Sequence, residues 1–313
     1  MTGPTATEPR RRRLTLSVRT LMLLVLVIGG PIGWKARSAT HQRRSVEAIR
    51  RMGGSVGYDW QGVSWEGQES DAAPPQGPAA PRWARRLLGD EYFQEVVEVD
   101  LLPGCLGEGP AGDPQEVEAL MRKQMAAREA DQLACLDGLD RLEWLSLSQF
   151  GELKAEGLAR LGRLGRLRGL VIEEVDDRVA ASLGHLTRLE WLYAHAKERP
   201  GASDQDIEAG RASIPVDLAF LDQMSRLRVL TFFDIAVDDE AMGRIGRLER
   251  LEDFSATASE KLTDAGMAHL RRLKSLKTIE LLPAPKITDV GMAGQKSLEN
   301  LEVGGRPPGQ QRP

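Results

Sequence analysis

Gly53-Gly54-Ser55-Val56-Gly57 has the G-x-S-x-G spacing of a nucleophile elbow. There a serine on a tight turn between a strand and a helix attacks an acyl carbon. Here the predicted order is reversed. His41 to Met52 carries Val46, Ile49 and Met52 at helical spacing, the two glycines stop that helix, and Ser55–Tyr58 follows as a short strand. The segment reads as a glycine-rich turn, and Ser55 is not assigned as a nucleophile. The four histidines, His41, His185, His195 and His269, fall in unrelated places, without a carboxylate pair, a phosphate loop or a metal spacing. No catalytic residue, metal or cofactor is expected, and a hydrolase stays only as a remote alternative. Cys105 and Cys135 are too few for a disulfide framework. Two separate buried thiols and one bridge between them both remain open.

The spacing that does carry chemistry is that of recognition, and a repeat positions it. From Asp131 the chain repeats an L-x-x-L-x-L segment. The copies are Leu142/Leu145/Leu147, Leu167/Leu170/Ile172, Leu189/Leu192/Ala194, Leu227/Leu230/Phe232, Leu251/Phe254/Ala256, Leu276/Ile279/Leu281 and Leu298/Leu301/Val303. First leucines are 25, 22, 38, 24, 25 and 22 residues apart, the 38 being one repeat plus an insertion near Ala196–Pro215. Val96/Val99/Leu101 is an earlier candidate, 46 residues upstream of Leu142. That gap predicts two repeats, one with its strand worn away. Between strands, Thr263, Thr288 and Asp238 stand at helix N-cap positions. Met267, Met292 and Met242 lie five residues after Leu262, Ile287 and Val237, the spacing of a hydrophobic staple. One strand–helix unit cannot bury its own leucines, but stacked units share a core.

In such a strand the residues between the leucines face outward. One column reads Trp144, Gly169, Trp191, Val229; the next Ser146, Val171, Tyr193, Thr231; the third Ser148, Glu173, His195, Phe233. With strands roughly 4.8 Å apart, Trp144 and Trp191 would stand about 10 Å apart across Gly169, leaving a slot walled by aromatics. Trp144, Trp191, Tyr193, His195 and Phe233 are the expected partner-binding residues, since clustered aromatics anchor protein recognition. Rings that merely cover one another and shield the sheet are the competing expectation. Later strands turn acidic, with Asp253, Glu280 and Glu302. A partner would present apolar groups to the first four repeats and basic groups to the C-terminal ones.

The stretch L-T-D-A-G-M-A-H-L from Leu262 resembles the leucine-rich repeat with a helical convex side, similar to the repeats of F-box proteins, but no F-box-like segment is present. With its basic stretch, short apolar segment and the GGSVGYDW module at Gly53–Trp60, the chain also resembles bacterial membrane-anchored repeat proteins. The likeness covers residues 10–65 loosely and 131–303 well. It implies an α/β leucine-rich-repeat solenoid with a curved parallel sheet, convex-side helices and an N-terminal transmembrane helix. Such repeats usually bind protein on the concave sheet. The Asn or Cys that usually ends the strand turn is missing: Phe150, Val175, Lys197, Ile235 and Ser259 stand there, and Asn300 is the only asparagine.

Charge supports the membrane expectation. The chain has 313 residues and a net charge of −4. Residues 1–51 hold eleven Lys/Arg against two acidic residues, a net +9, which leaves −13 on the remainder. An acidic body argues against nucleic acid as partner, whereas basic residues beside an apolar run suit anionic lipid. The sequence divides into a basic tail (1–19), an anchor (20–34, or from Leu14) and a juxtamembrane helix and strand (35–65). A Pro/Gly-rich linker (66–81), an N-terminal cap with a degenerate repeat (82–130), the repeats (131–303) and a disordered tail (304–313) follow. Ala36-Arg37-Ser38 is a poor signal-peptidase site, so an uncleaved single-pass anchor in a bacterial inner membrane is favoured over a signal peptide. Five Arg before the apolar run and six Lys/Arg after it leave the orientation undecided. Gly29 and Gly33 match a helix-dimer spacing, with Pro31 between them at the expected helix end. The reading is a non-catalytic interaction module with a protein partner, of undecided oligomeric state; a structural envelope protein without a specific ligand is the alternative.

Overall fold

The computed structural model describes residues 18–61, 77–101, 114–148, 150–197, 214–293 and 300–303. In chain order these form α1 (Val18–Arg51), β1 (Ser55–Tyr58), α2 (Arg82–Leu88), β2 (Val96–Asp100), α3 (Pro114–Asp131), β3 (Trp144–Leu147) and α4 (Ala155–Leu161). Then come β4 (Gly169–Val175), α5 (Asp177–Leu183), β5 (Trp191–Ala196), β6 (Val229–Phe233), α6 (Asp239–Ile245) and β7 (Asp253–Ala256). The last elements are α7 (Asp264–Met267), β8 (Thr278–Leu281), α8 (Asp289–Ala293) and β9 (Asn300–Val303).

All nine strands make one sheet whose spatial order is the chain order. From β2 to β9 every neighbour is parallel; β1 lies antiparallel on the outer edge of β2. Each parallel step needs a return connection, and short α and 3-10 helices supply most of them. This is the α/β leucine-rich-repeat solenoid. The register follows from the leucines. Leu145, Leu170, Leu192, Leu230, Phe254 and Ile279 pair across successive strands and are all buried. A one-residue slip would turn that row into solvent, so burial fixes the register.

The structure bears on three expectations. Val96/Val99/Leu101 belongs to β2, which pairs directly with β3. The interval to Leu142 holds the 18-residue α3 and, among the described residues, no further strand. The insertion leaves no gap in the sheet, because β5 pairs directly with β6. Ala196 ends β5 and is buried, Ile214 rejoins by a bridge to Ile235, and residues 198–213 lie outside the described residues. Finally, residues 20–34 and His41–Met52 are not two helices. Both lie in α1, which runs through Pro31 to Arg51, so Pro31 is not a helix end. Among the described residues no helix is long and apolar enough to cross a membrane; the expected spanning helix is not found there. The tails 1–17 and 304–313 lie outside the described residues.

The missing turn asparagine has a packing answer. At those turns Phe150, Val175, Ile235 and Ser259 are buried and Lys197 is half-buried, so mainly apolar plugs fill the space an Asn ladder would bridge. Ser259 Oγ has no hydrogen-bond partner among the described residues. A different ladder stitches the C-terminal repeats. Asp239 accepts from Thr263 N (2.8 Å), Thr263 Oγ1 (2.7 Å) and Gly266 N (3.1 Å) of the next repeat. One repeat on, Asp264 accepts from Thr288 N (2.8 Å) and Thr288 Oγ1 (2.6 Å). A Cβ on Gly266 or Gly291 would lie 2.5 or 2.3 Å from the incoming carboxylate oxygen. The L-T-D-x-G motif thus builds both a helix cap and a lock between repeats.

The N-terminal end is closed by α1. Val46, Ile49 and Met52 join the core, Gln42 Nε2 donates to Gln94 O (3.0 Å) and Ser45 Oγ to Asp137 O (3.1 Å). Lys35 pairs with Glu95. Arg128, fully buried on α3, donates to Met52 O (3.1 Å) where α1 ends. Gly53 turns the chain at φ +80°, and a Cβ on Gly54 would lie 2.7 Å from Asp100 O. Gly53 and Gly54 thus both serve to bring β1 onto β2.

Candidate functional site

Ser55 opens β1 opposite Asp100, so it sits in a paired strand and not at a strand-to-helix elbow. Cys135 is a buried free thiol whose pKa is pushed up, first by burial and then by Asp131; Cys105 lies outside the described residues. Among the described residues no group of His, Cys, Asp and Glu could hold a metal ion. Clefts of about 390, 650 and 480 Å³ lie against Arg160–Arg163, Met125–Phe150 and Arg82–Asp90. None of the three is lined by a histidine, serine or cysteine.

The expected aromatic residues do come together, because parallel register places them on one face. Trp144, Gly169, Trp191 and Val229 form one row across β3 to β6, and Ser146, Val171, Tyr193 and Thr231 the next. The rings form a continuous strip. Trp191 lies 6.4 Å from Tyr193 and nearly parallel to it, and Tyr193 lies 5.1 Å from Phe233. His195 meets the edge of Phe233 at 6.2 Å. These four are partly exposed.

The slot, however, does not exist. Trp144 lies down over Gly169: a Cβ there would meet its ring at 1.9 Å. The ring reaches Trp191 at 4.8 Å, tilted by 47°, and Trp144 retains only 8% exposure. A residue without a side chain invites the neighbouring indole into its space, which buries more apolar area than an open slot. Of the five expected binding residues, Trp144 is the support and the other four present surface.

Two features were not read from the sequence. First, His195 Nε2 lies 3.1 Å from Asp234 Oδ2 on the adjacent repeat. Asp234 has left-handed φ (+54°), as does Glu174 (+58°) at the equivalent position, where the register of β4 shifts. Asp234 N donates to Thr257 Oγ1 at 3.0 Å, which holds that turn. Burial first, then Glu173 and Asp234, raises the pKa of the Tyr193 phenol, so it presents a neutral hydroxyl. Second, from β3 to β8 the residue before each strand alternates in charge. Arg168 bridges Glu143 and Glu190 (3.5 and 3.0 Å), and Glu252 is held by Arg228 and Lys277 (2.6 and 2.8 Å). These two cations depress Glu252 to about 2. The signal was present, as Glu143, Arg168, Glu190, Arg228, Glu252 and Lys277 alternate at fixed offsets from the leucines.

The strip is flanked by acid. Glu98 and Asp100 continue its rows onto β2, while Asp253 and Glu280 continue them onto β7 and β8. Ser255 Oγ donates to Glu280 Oε2 at 3.1 Å.

No family model matches this chain and no curated relative is found. Among solved structures it is similar to an internalin from Listeria monocytogenes, at 16% identity over 56% of this chain and 58% of that one, with a TM-score of 0.32. It is also similar to a TLR13–ssRNA13 complex, at 17% identity over 54% of this chain and 26% of that one, with a TM-score of 0.34. The chain thus spans little more than half the internalin chain and about a quarter of the TLR13 chain. Likenesses this distant carry no argument about ligand or activity.

Proposed function

We propose that this chain is a non-catalytic leucine-rich-repeat interaction module, held at a bacterial inner membrane by the apolar N-terminal half of α1. It binds a protein partner on its concave sheet. The observation that carries the reading is the strip Trp191–Tyr193–Phe233–His195, partly exposed at the centre of a sheet whose other outward groups are small or acidic. Aromatics clustered on a surface are the common anchors of protein recognition. Acidic residues on both sides favour a segment with an apolar centre and Lys or Arg flanks. Sequence composition supports the membrane part: residues 21–34 contain no charge, and basic residues stand on both sides. The bacterial setting rests on the resemblance alone.

One observation favours a second reading, a structural repeat protein without a specific ligand. Trp144 is covered, so part of the aromatic row serves the sheet itself. Peptide display on the immobilised chain separates the two. The binding reading expects enriched peptides with an aromatic or aliphatic centre and basic flanks, and expects capture to fall at least ~30-fold in Trp191→Ala/Tyr193→Ala, the equivalent of about 2 kcal/mol for anchor residues. The variant should still melt cooperatively. Absence of enrichment, or enrichment that survives the double change, rejects the strip as the site.

A further inference from the structure

The apolar groups left in water are not spread over the molecule. Among the described residues the exposed large hydrophobics are Met22, Val27 and Trp34 on α1, Trp83, Leu87 and Leu88 on α2, and Met125 and Val290 elsewhere. Six of these eight therefore sit on two helices. The α1 group belongs to the half proposed to enter the membrane. The α2 group belongs to a helix that the sequence had placed in a repeat cap.

Helix α2 does not have the composition of a cap. Its seven residues, Arg82-Trp83-Ala84-Arg85-Arg86-Leu87-Leu88, contain three arginines and no acid. Ala84 is its buried side chain. Trp83 and Leu87, one helical turn apart, are 71% and 74% exposed, with Arg82 and Arg86 exposed beside them. An exposed tryptophan and leucine beside arginine is the composition of a helix lying in a lipid headgroup layer. Arg85 is used differently: it forks onto Asp90 (2.6 and 3.0 Å) and so fastens α2 to the 3-10 turn Asp90–Tyr92. That turn packs against α1. Just beyond it Glu95 takes Lys35, the first charged residue after Trp34. The fold thereby ties α2 to α1 where the apolar half of α1 ends.

We propose that α2 is a second membrane contact, an interfacial helix that lays Trp83, Leu87 and Leu88 into an anionic bilayer surface while Arg82 and Arg86 meet lipid phosphates. This rests on the reading of α1 as the membrane-held segment. Two contacts joined by Lys35–Glu95, Gln42–Gln94 and Arg85–Asp90 would set the tilt of the whole solenoid, because α1 is continuous into the repeat core.

The test places single spin labels in the full chain, with Cys105→Ser removing a competing thiol and Cys135 already buried. Separate variants carry Val27→Cys, Leu87→Cys or Val290→Cys. Each is reconstituted in vesicles of phosphatidylethanolamine with phosphatidylglycerol, and again in phosphatidylcholine alone. Accessibility is then read to dissolved oxygen, which concentrates in lipid, and to a water-soluble nickel chelate. The expected result is an oxygen-to-nickel ratio several-fold higher at residues 27 and 87 than at 290. At residue 87 the ratio should fall when phosphatidylglycerol is omitted. A lipid signature at 27 with a water signature at 87 overturns this proposal and leaves the anchor standing. Water signatures at both overturn the two together. Lipid at 87 but water at 27 overturns the anchor and keeps α2 as a peripheral lipid contact.

Discussion

The two halves of the sheet share one stacking device but use it unevenly: in the first half, among the described residues, only the Asp177 carboxylate reaches a backbone N–H of the next repeat, accepting from Asp217 N at 2.9 Å. From β6 to β9 the repeats are 22–25 residues long, and the Asp239 and Asp264 carboxylates reach into the next repeat by matching hydrogen bonds. From β3 to β6 the spacing is irregular. Buried residues plug turns in both halves, but here the outward face carries the rings. Regularity marks the half where side chains serve the scaffold, while its loss marks the half where they serve something else. The sharpest contrast falls within one strand. In β6, Phe232 is fully buried and its neighbour Phe233 is partly exposed among the rings.

That contrast is open to direct attack. Phe232→Ala should cost about 3–5 kcal/mol, the range for emptying a buried aromatic site. Phe233→Ala should cost roughly 1 kcal/mol, the worth of its ring contacts. Urea unfolding monitored by circular dichroism measures both. If the two changes cost the same, the strip is core that happens to be visible, and the concave face loses its claim as a binding surface.

The regular half makes a second, smaller prediction, in which pH enters. Asp239→Ala removes three hydrogen bonds to a carboxylate, worth about 1.5–3 kcal/mol in all at partial exposure. Thr288's hydroxyl and backbone N–H lower the pKa of Asp264. For Asp239, burial pushes upward, but the bonds from Thr263 and Gly266 outweigh it and the net shift is also downward. A folded-state pKa below the unfolded value contributes stability that is complete above the unfolded pKa, about 3.9 for Asp, and is lost as pH falls through the folded one. Glu252, near 2 when folded, acts in the same direction. In the other half Arg178 and then Lys197 lower the pKa of Glu152; for Asp176 burial pushes upward, but the backbone N–H of Val179 and the Arg178 side chain outweigh it. Acid between about pH 4 and 2 should therefore loosen both halves, and β7 to β9, held by Asp239, Glu252 and Asp264, should open before β3 to β5. Amide hydrogen exchange across that range checks it. Uniform loosening, or earlier opening of the aromatic half, contradicts the proposed division of labour.

The scaffold was legible because burial repeats. The spacing of Leu142, Leu167 and their successors gave seven parallel strands in their correct register. Thr263 and Asp238 gave helix starts, since Thr263 Oγ1 does cap Ala265 N and Asp238 Oδ1 does cap Ala241 N. What could not be read were contacts between different repeats. Nothing local says that Trp144 will fold onto a glycine 25 residues away. Nothing local says that His195 will meet Asp234 across an insertion. The break assigned at Pro31 failed because proline forbids only its own N–H bond and crowds the preceding turn; α1 continues on both sides of it.

The smallest effect separates strain kept for a purpose from strain that is merely tolerated. Glu174 and Asp234 occupy equivalent positions in their repeats and share a left-handed backbone, which costs a non-glycine residue about 1 kcal/mol or more. Glycine relieves that cost but adds entropy to the unfolded chain, so a position with no other duty should gain only about 0.5 kcal/mol. Glu174 makes no side-chain hydrogen bond among the described residues, and Glu174→Gly should show that small gain. Asp234 holds His195 beside Phe233, so Asp234→Gly should give no gain, and the imidazole resonances of His195 should shift in the NMR spectrum. Equal gains at both positions would mean that the His195–Asp234 contact does nothing for the fold. The test of the strip would then fall wholly on Trp191, Tyr193 and Phe233.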